Sequence, residues 1–134
     1  MRHLGLIWLG GALGTAARAS VGWAVPTAWV ALPTLVTNVA GAFLIGLLYE
    51  TLTTLSADGR PRRGLRLFLG TGVLGGFTTY SALEIAAATH GLDGLGYALT
   101  SVALGLASCW CGVSLAALIQ RMRSPLSDDV RATE

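Results

Sequence analysis

Four stretches of almost unbroken apolar residues, joined by short polar or proline-marked connections, set the pattern of this chain. They cover residues 4–24, 28–49, 67–88 and 94–120. A helix needs roughly 20 apolar residues to cross about 30 Å of hydrocarbon, and each stretch meets that length. Long helices buried in a water-soluble protein would keep a polar face, and these do not. The pattern predicts an all-α integral membrane protein with four transmembrane helices. Residues 1–123 form one transmembrane domain, and residues 124–134, with Pro125, Asp128 and Asp129, read as a solvated, disordered tail.

The connections carry their own signals. Pro26 and Pro33 bracket the first, with Trp23 and Trp29 placed as interfacial anchors. The second, residues 56–64, is polar and basic, and the third is a tight turn around His90 to Asp93. With four crossings, both termini and the central loop share one side, which holds Arg2, Arg60, Arg62, Arg63, Arg66, Arg121, Arg123 and Arg131. The loops of the other side hold no Arg or Lys, so the positive-inside rule predicts cytoplasmic termini. An N-terminal signal peptide is disfavoured, because the first apolar run exceeds signal-peptide length and three more follow.

Composition agrees with lipid. The 134 residues are 53% hydrophobic and 12% charged, with 18 glycines, against roughly 25% charged and about 7% glycine in soluble domains. A net charge of +2 with no basic face argues against nucleic-acid binding. A single bundle of this size has little interior, so a conduit through it calls for a second copy. Cys109 and Cys111, two apart on a helix, cannot pair with each other and read as small packing residues.

Polar groups inside the apolar stretches need partners or a wet cavity. In the first stretch Gly10 and Gly14 suit close helix contact, and Arg18 reads as structural, snorkelling or capping carbonyls, with an anion-attracting vestibule as the alternative. In the second, Thr34 and Asn38 share one helix face; Asn38 is either an interhelical clamp or a donor to an anion in a pore. In the fourth, Tyr97, Ser101, Gly105 and Ser108 form one stripe, a polar track. The third carries the strongest signal: Gly70, Gly72, Gly75 and Gly76 lead into Phe77-Thr78-Thr79-Tyr80-Ser81. Paired glycines and β-branched threonines are poor helix formers, so the third helix is expected to break near mid-membrane. Freed carbonyls there suit a hard cation, and hydroxyl donors suit an anion.

These residues resemble the fluoride channel family Fluc, also called CrcB. The likeness runs from about Gly10 to Gln120 through three patterns: Gly10-Gly11-x-x-Gly14-x-x-x-Arg18, Thr34-Leu35-Val36-Thr37-Asn38-x-x-Gly41-x-Phe43-x-x-Gly46, and Gly70-Thr71-Gly72-x-x-Gly75-Gly76-Phe77-Thr78-Thr79-Tyr80-Ser81. The resemblance implies an antiparallel dual-topology dimer in the cell membrane of a prokaryote, passing fluoride out passively along pathways near the subunit interface. It implies a structural sodium ion at the dimer centre, held by the carbonyls of Gly75 and Thr78. It assigns Asn38 and Thr34 to the fluoride pathway, with Phe77, Tyr80, Ser81 and Leu83 at the break and Tyr97, Ser101 and Ser108 on the last helix.

Two departures stand out. The family usually carries Phe at the positions of both Tyr80 and Leu83; here one ring is lost, and Glu84 stands where small polar residues are usual while Ala86 replaces a Glu. The arginine bias favours one orientation, whereas an antiparallel homodimer needs both, so a homologous subunit of opposite orientation is the favoured partner. A non-conducting scaffold subunit is one alternative, which Leu83 and Glu84 would support if they block conduction. A small multidrug-resistance-type transporter is the other, and it lacks the embedded carboxylate that its chemistry requires, since the first stretch offers Arg18 and no acid. No nucleophile–base pair, metal cluster or phosphate loop suggests an enzyme.

Overall fold

The computed structural model describes residues 2–25, 31–56, 63–89 and 91–131. Every element among them is helical. Helix α1 spans Arg2–Ala24 and α2 spans Ala31–Ser56. The third region opens with the short α3, Arg63–Leu65, widens into a π-helical stretch, Arg66–Leu74, and tightens again in α4, Gly75–Phe77. After a gap at Thr78–Tyr80 come α5, Ser81–Thr89, and the long α6, Gly91–Arg131. Pro33 falls in the first turn of α2, where its missing N–H costs nothing. Gly91, at a φ of 55°, takes the left-handed conformation that lets α6 start directly after the preceding helix.

Three helical spans are long and apolar enough to cross a membrane: His3–Ala24, Leu32–Thr53 and Gly91–Met122. The fourth predicted crossing, residues 67–88, is helical on both sides of the gap but not one continuous helix. The backbone of α6 stays helical to Arg131, well into the segment expected to be disordered. The first two connections, with Pro26, Trp29, Arg60 and Arg62, and residue His90 lie outside the described residues.

Glycine decides which helices meet. Helix α1 packs along the π-helical stretch and α4, and a Cβ on Gly14 would run into the Val73 carbonyl and stand 2.8 Å from the Phe77 nitrogen. From the other side, Gly76 presses on the Gly11 backbone. The Gly10/Gly14 face read from the sequence is thus a helix-contact face. Helix α2 packs along α6 in the same way: Gly46 abuts the Cys109 carbonyl and Gly112 abuts the Phe43 carbonyl. Such contacts let backbones approach as packed transmembrane helices do. Cys109 is half-buried in that seam and Cys111 is exposed; both are free thiols, and Cys109 fits the packing role.

Little of the chain is enclosed. Leu52, Leu74 and Ala116 are the buried apolar residues among those described, while Trp8, Trp23, Leu92, Leu106 and Trp110 project outward. A surface this apolar is unsuited to water and suits lipid or a partner subunit. The chain is an integral membrane protein.

Candidate functional site

The gap in the third region is built from side chains that compete with the helix for its own hydrogen bonds. Thr78 still closes the last turn, because its amide and its hydroxyl both donate to the Leu74 carbonyl, each at 3.0 Å. Its ψ of 160° then turns the chain into an extended conformation. The next amide does not return to the helix. Thr79 N–H donates to Asn38 Oδ1 at 2.8 Å, and Asn38 Nδ2 donates to the Thr79 carbonyl at 2.9 Å. One carboxamide thus satisfies both backbone groups of one residue, as a neighbouring strand would. The interruption was expected within the stretch of paired glycines and threonines; it falls at the threonines, and Gly75 and Gly76 are helical. The small size of Gly76 serves the contact with α1.

Helix α2 fits this corner. Gly41, close to one turn beyond Asn38, leaves room for the Thr78 methyl group and lies 3.4 Å, measured from a Cβ placed there, from the Phe77 ring. Beyond the gap, the Thr79 and Ser81 hydroxyls are 2.9 Å apart. Gly75, Tyr80, Ser81 and Glu84 all face outward, Tyr80 with 68% of its surface exposed. The backbone of Leu83 lies in α5, and its side chain lies outside the described residues.

The structure therefore gathers Asn38, Phe77, Thr78 and Ser81 at one corner, with Tyr80 on its outer rim. Thr34 is one turn before Asn38, and its carbonyl accepts from the buried Thr37 hydroxyl at 3.0 Å. The α6 stripe faces α2 rather than the gap. Ser108 donates to the Val39 carbonyl at 2.9 Å, Gly105 lies near Ala42, and Ser101 is 4% exposed with no partner for its hydroxyl among the described residues. Tyr97 is half-buried one turn before Ser101. Arg18 is half-buried on α1, one turn beyond Gly14.

Two features escaped the sequence reading. Thr79 is the partner of Asn38, and 41 residues of separation gave no local signal. The π-helical stretch was also unforeseen; at its end the Gly75 amide is shared between the Gly70 and Gly72 carbonyls. Near its start, the Arg66 guanidinium lies 4.9 Å over the Tyr49 ring, and Gly70 makes room for that ring.

Chemically, the corner holds the hydroxyls of Thr79 and Ser81, the Asn38 amide and the backbone groups of the gap. Among the described residues no group of three or more His, Cys, Asp or Glu side chains could hold a metal.

The family model described as "CrcB-like protein, Camphor Resistance (CrcB)" matches residues 5–113. A protein of Leifsonia xyli named fluoride-specific ion channel FluC 2 is 48% identical over 126 residues, which cover 88% of this chain and 86% of the relative. Fluoride-specific ion channel FluC 1 of Cutibacterium acnes is 40% identical, with 90% of each chain covered. The FluC channel of Rhizobium meliloti is 42% identical over 86% of this chain and 96% of its own.

Proposed function

The chain belongs to the CrcB-like family, and from that premise we propose that it is a subunit of a fluoride-selective ion channel of the plasma membrane. Its relatives carry the name of fluoride-specific channels, and the chemistry of the corner agrees. The observation that carries the reading is the polar gap clamped by Asn38, within a family match that spans nearly all of the apolar chain. Fluoride is a small, strongly hydrated acceptor, so its path needs N–H, O–H and positive ring edges in place of water. Asn38, Thr34, Tyr80, Ser81 and Ser101 supply donors, Phe77 a ring edge, and Tyr97 continues the track on α6, whose Ser108 gives its hydroxyl proton to the Val39 carbonyl instead. Leu83 adds only apolar bulk where a second ring would be usual.

The conduction is passive. Fluoride enters cells as neutral HF, ionises inside, and an inside-negative potential drives the anion out. No proton-coupling carboxylate is needed.

In this reading the region from Arg63 to Thr89 completes a fourth crossing, with its gap at mid-membrane and its outward polar groups covered by a second subunit in antiparallel orientation. The resemblance also implies a resident sodium ion at the subunit interface. The residues present fit one. Thr79 N–H is taken by Asn38, so it cannot occupy the Gly75 carbonyl, its usual partner four residues back. Gly75 and Thr78 would hold the ion through neutral carbonyl oxygens, the ligand type that hard cations prefer. When bound, such an ion supplies fixed positive charge near the anion path. The partner is a homologous subunit rather than an identical one, because arginines crowd one side of the chain; the termini are then cytoplasmic.

Fluoride efflux from liposomes tests the assignment. Replacing Asn38 by Asp puts negative charge in the path, and Tyr80→Ile removes a ring and a hydroxyl. Both should cut efflux by at least tenfold, the effect of about 1.4 kcal/mol on the barrier. Unchanged efflux in both variants would remove these residues from the pathway.

A further inference from the structure

Asn38 is an intramembrane side chain that bonds to the backbone of a distant helix through both ends of its amide. Its Oδ1 accepts from Thr79 N–H and its Nδ2 donates to the Thr79 carbonyl. A carboxamide has one oxygen and two N–H bonds, so one N–H is left for any other ligand. That is a poor arrangement for a group whose sole task is to bind an anion. It suits a group that shapes the backbone.

We infer that Asn38 is a positioning residue for the cation site: by capturing Thr79 N–H it keeps the Gly75 carbonyl free to turn toward an ion. This rests on the sodium reading proposed above and adds to it a specific device. In an uninterrupted helix, Thr79 N–H would close on the Gly75 carbonyl. Here the chain turns at Thr78, with φ −84° and ψ 160°, and the competing acceptor is Asn38. Gly75 is exposed on the surface of the chain, where an ion shared with a second chain would sit. The second bond, Nδ2 to the Thr79 carbonyl, locks the peptide so that the amide cannot rotate back. The pathway residue and the cation site are thus one hydrogen-bonded unit.

The geometry singles out a double substitution as the test. Asn38→Ala removes both bonds and lets Thr79 N–H return to the Gly75 carbonyl. Thr79→Pro removes that N–H altogether, and the extended Thr78 is the conformation a residue before proline prefers. Asn38→Asp keeps the acceptor and loses the donor. The readout is sodium-dependent melting of the protein purified with its co-expressed homologue, followed by tryptophan fluorescence, with choline as the control cation.

The unaltered protein should melt higher in sodium. Asn38→Ala should need on the order of tenfold more sodium for the same stabilisation, since one backbone hydrogen bond must now break before the carbonyl can serve an ion. Asn38→Asp should fall between the two, and adding Thr79→Pro to Asn38→Ala should restore most of the sodium response. A merely structural Asn38 would lower melting equally in sodium and choline and would not be rescued by proline. An unchanged sodium response in Asn38→Ala, or a failed rescue, overturns the inference and leaves the sodium site standing. If the unaltered protein shows no sodium response, the sodium reading itself falls, and this inference with it.

Discussion

Thr78 ends a helix while holding its last turn with two donors, and the room for that geometry comes from a different helix. A Cβ at Gly41 would collide with the Thr78 methyl group. Gly41→Ala should therefore push Thr78 out of its rotamer and loosen the clamp one turn away. Overpacking of this kind costs about 1–3 kcal/mol, so a lower melting temperature and weaker fluoride efflux are expected together. At this scale much of the site was legible. Asn38 stood out because lipid gives an isolated amide nothing to bond. Its partner was not legible: both open roles, clamp and anion donor, demanded a polar group somewhere, and only the fold places Thr79 there. Ser108 was legible as a polar residue, but its bond to the Val39 carbonyl was not.

At the scale of elements, glycine spacing carried more information than helix propensity. Gly10 and Gly14 marked a face for close helix contact, and the structure places the third region against that face. The glycines of the third region were read together with the threonines as helix breakers. Gly75 and Gly76 look like helix breakers in a local reading, yet both are helical, and Gly76 uses its missing side chain in contact with α1. The break falls at the threonines, where bonds to the Asn38 side chain replace backbone ones. The π-helical stretch was not signalled by any local pattern in the sequence.

The seam between α2 and α6 allows a matched comparison on one helix. A Cβ at Gly112 would collide with the Phe43 carbonyl and stand 2.9 Å from the Leu47 nitrogen, whereas one at Gly105 would rest 3.9 Å from Ala42. Gly112→Ala should lower the thermal midpoint in detergent by several degrees, as about 1–3 kcal/mol does for a domain of this size. Gly105→Ala should leave it near its starting value. Equal effects would mean that the two helices do not meet along this face.

For the whole molecule, hydrophobic pattern settled the class at once, because length and uniform apolarity are the requirement that a bilayer imposes. The relation between subunits is not written in one chain's pattern. It enters through charge: eight of the nine arginines fall on one predicted side. A fluorescent protein fused after residue 134 should fluoresce, and alkaline phosphatase at the same position should stay inactive, as expected for a cytoplasmic terminus. Replacing Arg60, Arg62 and Arg63 with Ser should produce both signals at once.

Gly75, Tyr80, Ser81 and Glu84 face outward, where the proposed second subunit would cover them. The most direct measurement is anion release from liposomes holding this chain with its homologous partner. Fluoride and chloride electrodes would be read side by side, with the chain alone as the comparison. The expected result is rapid fluoride release with chloride retained, and much slower fluoride release from the chain alone. Chloride leaving as fast as fluoride, or no fluoride release from the pair, would contradict a fluoride pathway through this chain.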